Sequence, residues 1–313
     1  MGHAKLAQDG QEILRNRLTQ IGQSASFEAT PREIQGDHSW IAKVPRGARI
    51  YIPHAAGTLP QEIARAAAVV RAAQRTPVPH IAARRLASMG ELVELLERLR
   101  TGGCEEAFLI AGSVARPTSE LTSAIDLLDT GLFQKYGFRR IGVAGHPEGS
   151  PDVAEAALWQ ALGEKSRIAR SATFGVHVVT QFCFEPGSIE EWEQLARERG
   201  IDLPVHVGVP GLTGMGKLLR FAAMCGVRAT FGYALHGPSG IGAALSRWSP
   251  APMLLRIAGH MASQPRSLLR QVHFFPFGGL RATIAWAKAL GEGRFRVQPS
   301  PTGFSMAVVA EAV

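Results

Sequence analysis

Cysteine is scarce in this sequence and does not cluster: Cys104, Cys183 and Cys225 are its only three. Without a CxxC or a Cys/His cluster, neither a metal site nor a disulfide scaffold is expected, and an odd, sparse count suits a reducing cytoplasm. Long apolar runs are missing as well. None approaches the ~20 residues of a membrane span. The leading MGHAKLAQDGQEILRNRL lacks the apolar core of a signal peptide and reads as an amphipathic helix. Nor is there a basic block interleaved with aromatics; the arginines are scattered, which argues against nucleic acid as a partner. The Gly-rich stretches Gly211–Gly216 and Gly237–Gly242 have no following Gly-Lys-Ser/Thr, so they are not Walker A loops. Neither opens a chain-early βαβ unit as a Rossmann fingerprint does.

What is present is an apolar-rich chain of 313 residues, 46% hydrophobic, with a formal charge of +8. That length suits one large barrel of roughly 250 residues with extensions, with two ordinary domains as the competing arrangement. The charge fits a basic solvated surface or a field that draws in an anionic ligand such as a dinucleotide or polyglutamate tail.

Eight short apolar runs punctuate the chain: Ala25–Thr30, Ala48–His54, Pro77–Ala83, Glu106–Gly112, Arg140–His146, His177–Glu185, Pro204–Gly211 and Gln271–Gly279. They are apolar almost throughout, as strands covered on both faces are. Helical patterns lie between them: Leu59–Ala73, Met89–Arg100, Pro151–Leu162, Ile189–Arg199, Lys217–Cys225 and Leu280–Leu290. About eight βα units in register predict an α/β fold, a single (β/α)8 barrel over residues 1–313. It carries an N-terminal helix and an elaborated segment, Thr230–Pro265, before the last strand. A doubly wound open sheet is the runner-up. Apolar residues in Trp248–Leu255 are expected to be exposed, as an oligomer interface or a lid.

In such barrels the site lies at the C-terminal ends of the strands. Polar residues expected there are Glu28, His54, His80, Ser113, His146, Glu148, Gln181 and the Gly278–Arg281 turn. Glu28 within SFEATP is partly desolvated, so its pKa is expected to rise and make it a general acid near neutrality. The alternative is a structural carboxylate paired with an Arg at the barrel base. Gln181 suits the polar edge of a heterocycle, or a hydrogen bond to a neighbouring strand. His80 reads as a structural histidine or a site residue; His146, in a Gly/Pro-rich turn, reads as a ligand contact. Gly112–Ser113 is expected to bring backbone N–H groups close to a phosphate or ring.

The pieces SFEATP, PHIAAR, GVAGHPEGSPD, VVTQFCFE and VHFFPFGG, in this order and spacing, resemble the methylenetetrahydrofolate reductases of the short bacterial type. The resemblance runs from about Ala25 to Leu290. It implies a (β/α)8 barrel holding FAD at the strand C-terminal ends. NAD(P)H reduces the flavin, and hydride then passes to the one-carbon unit of a reduced folate. It implies Glu28 as the catalytic acid, Gln181, Arg281 and Ser113 at the folate, and His54, His80, Gly112, Asp126, His146, Glu148 and Arg167 at the cofactor. No metal is implied.

The departures cluster on the flavin side. Ala111-Gly112-Ser113 stands where the family has Arg-Gly-Asp, His146 replaces a Tyr, Ser150 a His, and Pro53 a Thr. The family's Lys/Arg pair before the sixth strand is matched roughly by Lys165, Arg167 or Arg170. Two routes therefore stay open, one through FAD and one in which NADH delivers hydride directly. A folate-dependent methyltransferase barrel and a redox-inactive folate-binding protein are the competing functions. The expected partners are a reduced folate and a nicotinamide dinucleotide, with a homo-oligomer allowed. Neither nucleic acid nor a membrane is expected as a partner.

Overall fold

The computed structural model describes residues 2–113, 119–225, 247–301 and 303–309. Eight strands form a closed barrel: β1 (Ser26–Glu28), β2 (Arg49–Ile52), β3 (Thr76–Ala82), β4 (Glu106–Ile110), β5 (Arg140–Gly145), β6 (Gly175–Phe182), β7 (Val205–Pro210) and β8 (Leu269–Phe275). Each pairs in parallel with its sequence neighbours, and β8 closes on β1 through Ser26↔His273 and Phe27↔Phe274. All eight expected runs are strands, and the architecture is the (β/α)8 barrel that their rhythm predicts.

The sequence makes these elements by local rules. Helix Met89–Thr101 starts where the Ser88 side chain accepts from Glu91 N at 3.2 Å, and it buries Leu92, Leu95, Leu96 and Leu99 against the barrel. Full burial of one such side chain contributes about 1.5–3 kcal/mol. After β1, Thr30 and Glu33 form a reciprocal capping box, with Pro31 setting the first turn of helix Pro31–Gln35.

Outward-facing strand residues such as Ile50, Ile52, Leu109, Val143, Val178 and Val207 join the helices in one large apolar core. The alternate, inward-facing residues include Tyr51, Val78, Phe108 and Val179, which form a separate small cluster inside the barrel.

Three features depart from the sequence reading. Residues Trp248–Leu255 present no exposed apolar patch: Trp248, Ala251, Met253 and Leu254 are buried. Short strand Arg247–Trp248 pairs with Thr213–Gly214, and helix Ala251–Ser263 packs against the N-terminal helix Gly2–Ser24. The helix expected at Pro151–Leu162 instead spans Glu155–Ser171, because Ala154 is extended and acts as its cap. Beyond the last barrel helix, Leu280–Gly291, an antiparallel hairpin of Phe295–Ser300 and Gly303–Val308 packs on helix Ala251–Ser263, and Arg15 and Gln11 of the N-terminal helix donate to its backbone. The stretch Gly237–Gly242, with much of the elaborated segment, lies outside the described residues.

Candidate functional site

Glu28 stands at the C-terminal end of β1, facing inward, with 23% of its side-chain surface exposed. Its nearest titratable contact is His80 Nε2 of β3, 3.7 Å from Oε2. Burial pushes the Glu28 carboxyl up to about 7, and the charge of Glu33 adds to the effect. The capping box holds Glu33 in place, so the turn that ends β1 also tunes the carboxyl beside it. His80 is held neutral, its pKa lowered to about 3 by burial and by His54. The pair is thus a carboxyl poised near neutrality against an uncharged imidazole, not an ion pair. The barrel-base arginine does not reach Glu28: Arg49 binds Glu106, Nε to Oε2 at 2.6 Å and Nη2 to Oε1 at 3.1 Å.

Gln181 sits in an irregularity of β6, where the β6–β7 register shifts between Val179 and Phe182. Thr180 Oγ1 donates to Gln181 O at 2.8 Å and accepts from Gly208 N at 2.8 Å, which fixes the bulge. Position 208 tolerates only glycine here, since a Cβ would lie 2.4 Å from Thr180 O. The bulge leaves the Gln181 side-chain Nε2 buried with no hydrogen-bond partner among the described residues. A buried amide donor without a partner is costly unless a ligand supplies the acceptor.

An aromatic wall completes this side. Phe182 meets Phe277 edge-on at 4.8 Å, Phe277 stacks on Phe221 at 4.6 Å, and Phe184 meets Trp248 at 5.5 Å. Phe277 adopts φ +46°, a left-handed conformation that costs a bulky residue about 1–3 kcal/mol, and Thr213 Oγ1 holds its carbonyl at 3.1 Å. The wall suits a flat ring by edge and face contacts.

A cavity of about 680 Å³ begins at Ala144–Glu148, where β5 ends, and runs outward between helices Glu155–Ser171 and Pro186–Glu198. Its lining includes His146, Lys165 and the stacked pair Trp159 and Trp192, but neither Glu28 nor Gln181. Lys165 is buried, and among the described residues it makes no hydrogen bond or ion pair. Burial lowers its pKa to about 8; burial and the nearby Lys165 charge lower that of His146 to about 4. A buried ammonium without a partner fits an anionic group such as a pyrophosphate.

The other expected residues are placed as follows. His54 is buried after β2, accepts from Ala82 N at 3.4 Å, and is kept neutral by burial and Arg85. Gly112 (φ +81°) follows β4, and exposed Ser113 offers its carbonyl to Arg85 at 3.1 Å. Glu148 accepts from Phe184 N at 3.2 Å, tying the loop after β5 to the end of β6. Asp126 uses its carboxylate on Thr122 and Ser123 to cap helix Ala124–Asp129. Arg167 is exposed, pairs with Glu164 at 3.2 Å, and does not line the cavity; Lys165 does. Arg281 is paired with Asp37 at 2.5 Å.

Sequence reasoning missed the inward histidines His177, His206 and His273, and Tyr51 beside them. Their signal was available: each stands between outward apolar residues of its strand, at the period of two that marks opposite faces.

A family model described as methylenetetrahydrofolate reductase matches residues 24–230 of this chain. Among solved structures, the C-terminal domain of a protein designated a chitinase from Desulfitobacterium hafniense is 12% identical. The match covers 86% of this chain and 98% of that one, with a TM-score of 0.48. Dihydropteroate synthase from Thermus thermophilus is 15% identical over 86% of this chain and 91% of that one, with a TM-score of 0.43.

Proposed function

The chain belongs to the methylenetetrahydrofolate reductase family, and on that premise we propose that it interconverts 5,10-methylenetetrahydrofolate and 5-methyltetrahydrofolate with hydride originating from NAD(P)H. The observation that carries this reading is the pairing of Glu28 and Gln181. One is an acid poised near pH 7, the other a buried amide donor in want of an acceptor. Protonated Glu28 gives its proton to N10 of the folate as the C–N10 bond opens, leaving an electrophilic iminium at N5. Gln181 holds the polar edge of the pterin. The aromatic wall of Phe182, Phe221 and Phe277 packs on its planar parts and excludes water.

Lys165, with His146 beside it, fits the pyrophosphate of a dinucleotide, a feature shared by FAD and NAD(P)H. Flavin or nicotinamide, when bound, supplies the hydride that reduces the one-carbon unit. His54, His80 and Gly112 are the residues proposed to line that half of the mouth. Asp126 and Arg167 would have to leave their present partners to join them, as Arg281 would to reach the folate.

The absorption spectrum of the purified protein, read with an NAD(P)H oxidation assay, tests the reading. Flavin bands together with turnover support the route through FAD. A colourless protein that oxidises NADH when methylenetetrahydrofolate is added supports direct transfer. A colourless protein with no nicotinamide turnover in either direction overturns both.

A further inference from the structure

The aromatic wall beside Gln181 has a back and a front. Phe182, Phe184, Leu218 and Trp248 are buried and form the back; Met215, Phe275 and Phe277 pack in front of them and are half-buried. The front rings form a ladder. Phe275, at the end of β8, meets the inward His273 edge-on at 4.6 Å. Phe277 stacks on Phe275 at 6.0 Å, and the half-buried Phe221 stacks on Phe277 at 4.6 Å. The ladder therefore leads outward, from the barrel interior to helix Met215–Cys225.

Lys217 stands at the outer end of this ladder. It precedes Phe221 by one helical turn, so the two share a face of the helix. Its Nζ lies over the turn that follows Phe277, 3.6 Å from where a Cβ on Gly278 would be. The side chain is exposed, and among the described residues it makes no hydrogen bond or ion pair. Arg220, on the same side of the helix, is likewise exposed and without such a partner among them. Arg281, the cation that the resemblance assigns to the folate, is engaged elsewhere: Asp37 Oδ2, Asp37 O and Ser39 Oγ all accept from it. At this edge of the mouth the unpaired positive charge among the described residues is that of Lys217 and Arg220.

A reduced folate carries its parts in the matching order. The pterin has a polar edge, an aminobenzoyl ring follows, and the glutamate at the far end bears carboxylates that are ionised at neutral pH. With the pterin edge on the buried Gln181 amide and the rings along Phe275, Phe277 and Phe221, the glutamate comes to the end of the ladder. We infer that Lys217 binds the glutamate carboxylates of the folate and that Arg220 takes up further γ-linked glutamates, so that the site selects its substrate by tail as well as by pterin. This rests on the folate reading above. Lys217 is then a specificity residue, remote from the reacting carbon and from Glu28. Because both cations are exposed, each contact is worth little alone and is screened by salt. Several in succession along one tail would add up to a preference for the longer tail.

Calorimetry on the full chain at low salt, with three probes, tests this. The probes are monoglutamyl 5-methyltetrahydrofolate, its triglutamyl form, and 6-methyltetrahydropterin, which has no tail. Lys217→Gln is expected to weaken the monoglutamyl folate about fivefold, the upper range for an exposed ion pair, and the tail-less pterin not at all. Lys217→Arg should restore most of the loss. The parent chain should bind the triglutamyl form more tightly than the monoglutamyl form. That advantage should shrink as ionic strength rises and disappear when Arg220→Gln is added to Lys217→Gln. Unchanged affinity of Lys217→Gln for both folates overturns the inference. So does an equal loss for the tail-less pterin, which would mark Lys217 as structural. A parent chain that binds neither the pterin nor the folates would sink the folate reading itself, and would be seen before any variant is made.

Discussion

Glu28 and Glu106 are both strand glutamates facing the barrel interior, at opposite ends of it. Glu106, at the base, is held by a two-point hydrogen-bonded pair with Arg49. Glu28, at the mouth, has no cation beside it among the described residues, and burial raises its pKa to about 7. The base carboxylate is in a state that favours folding, and the mouth carboxylate is in one that opposes it. Barrels of this class separate stability from chemistry along the same axis, and the two glutamates show the separation within one residue type.

The largest effect should come from what lies between them. His80, His177, His206 and His273 are buried and neutral, with pKa values lowered by burial first, to about 3 for the first two and well below 6.5 for the others. The unfolded chain takes up protons on these groups as pH falls below about 6.5, and the folded chain does not. Stability is therefore full above that pH and is lost as pH drops towards 3. Glu28 titrates with the opposite sign between 7 and 4.5, because its raised pKa favours the folded, protonated form. The four histidines together outweigh Glu28, so the net stability falls as pH drops and acid unfolding is expected. Circular dichroism against pH checks this. A chain still folded at pH 3.5 would mean that these histidines are hydrated or paired.

Glu28→Gln should lower folate reduction by 10²- to 10⁴-fold, the range of a positioned general acid, while folate affinity is kept. The same variant should be more stable than the parent, by about 3 kcal/mol above pH 7 and by nothing near pH 4, since it removes the cost of burying the charged form. A structural carboxylate would show the reverse sign. Stopped-flow rates and urea unfolding at two pH values decide between them.

Glu106→Gln is the mirror experiment. It leaves Arg49 without its carboxylate in a partly exposed pair, with side-chain exposures of 19% and 13%, so a loss of about 2 kcal/mol is expected. Turnover below pH 7 should stay near normal. If Glu106→Gln abolished activity with stability intact, the division between the two ends would fail.

The eight strands and their order were legible because strands buried on both faces declare themselves as short apolar runs, and Gly102, Gly103 and Gly200 mark helix ends. Glu28 and Gln181 were legible because a charge and an amide inside such runs are anomalous. The internal histidines carried a weaker signal: in Val176-His177-Val178 the histidine keeps the period of two, but it looks like a chance polar interruption until the register sets it beside Gly142 on the inward face. Asp126 and Arg167 read as cofactor contacts from the sequence, and Arg281 as a folate contact. In the structure their charges are spent on a helix cap, an i,i+3 pair and Asp37. A sequence states which charges exist, but which are already neutralised is decided by partners far along the chain, as Arg281 and Asp37 show.

The finest test of the comparison concerns why the Glu28 pKa is raised. Burial is the main cause, and the Glu33 carboxylate adds a like charge from the capping box that follows β1. Glu33→Gln keeps the box geometry, because a glutamine side chain still accepts from the Thr30 backbone N–H, but removes the charge. The alkaline limb of the pH–rate profile, where activity falls as Glu28 ionises, should move to lower pH by about half a unit. Stability should change by under ~1 kcal/mol. Glu28 would then lose its proton slightly earlier yet remain far from the paired state of Glu106. An unmoved limb would leave burial as the sole source of the raised pKa. A shift of two units or more would mean that the difference between the two ends depends on the local turn more than on the barrel.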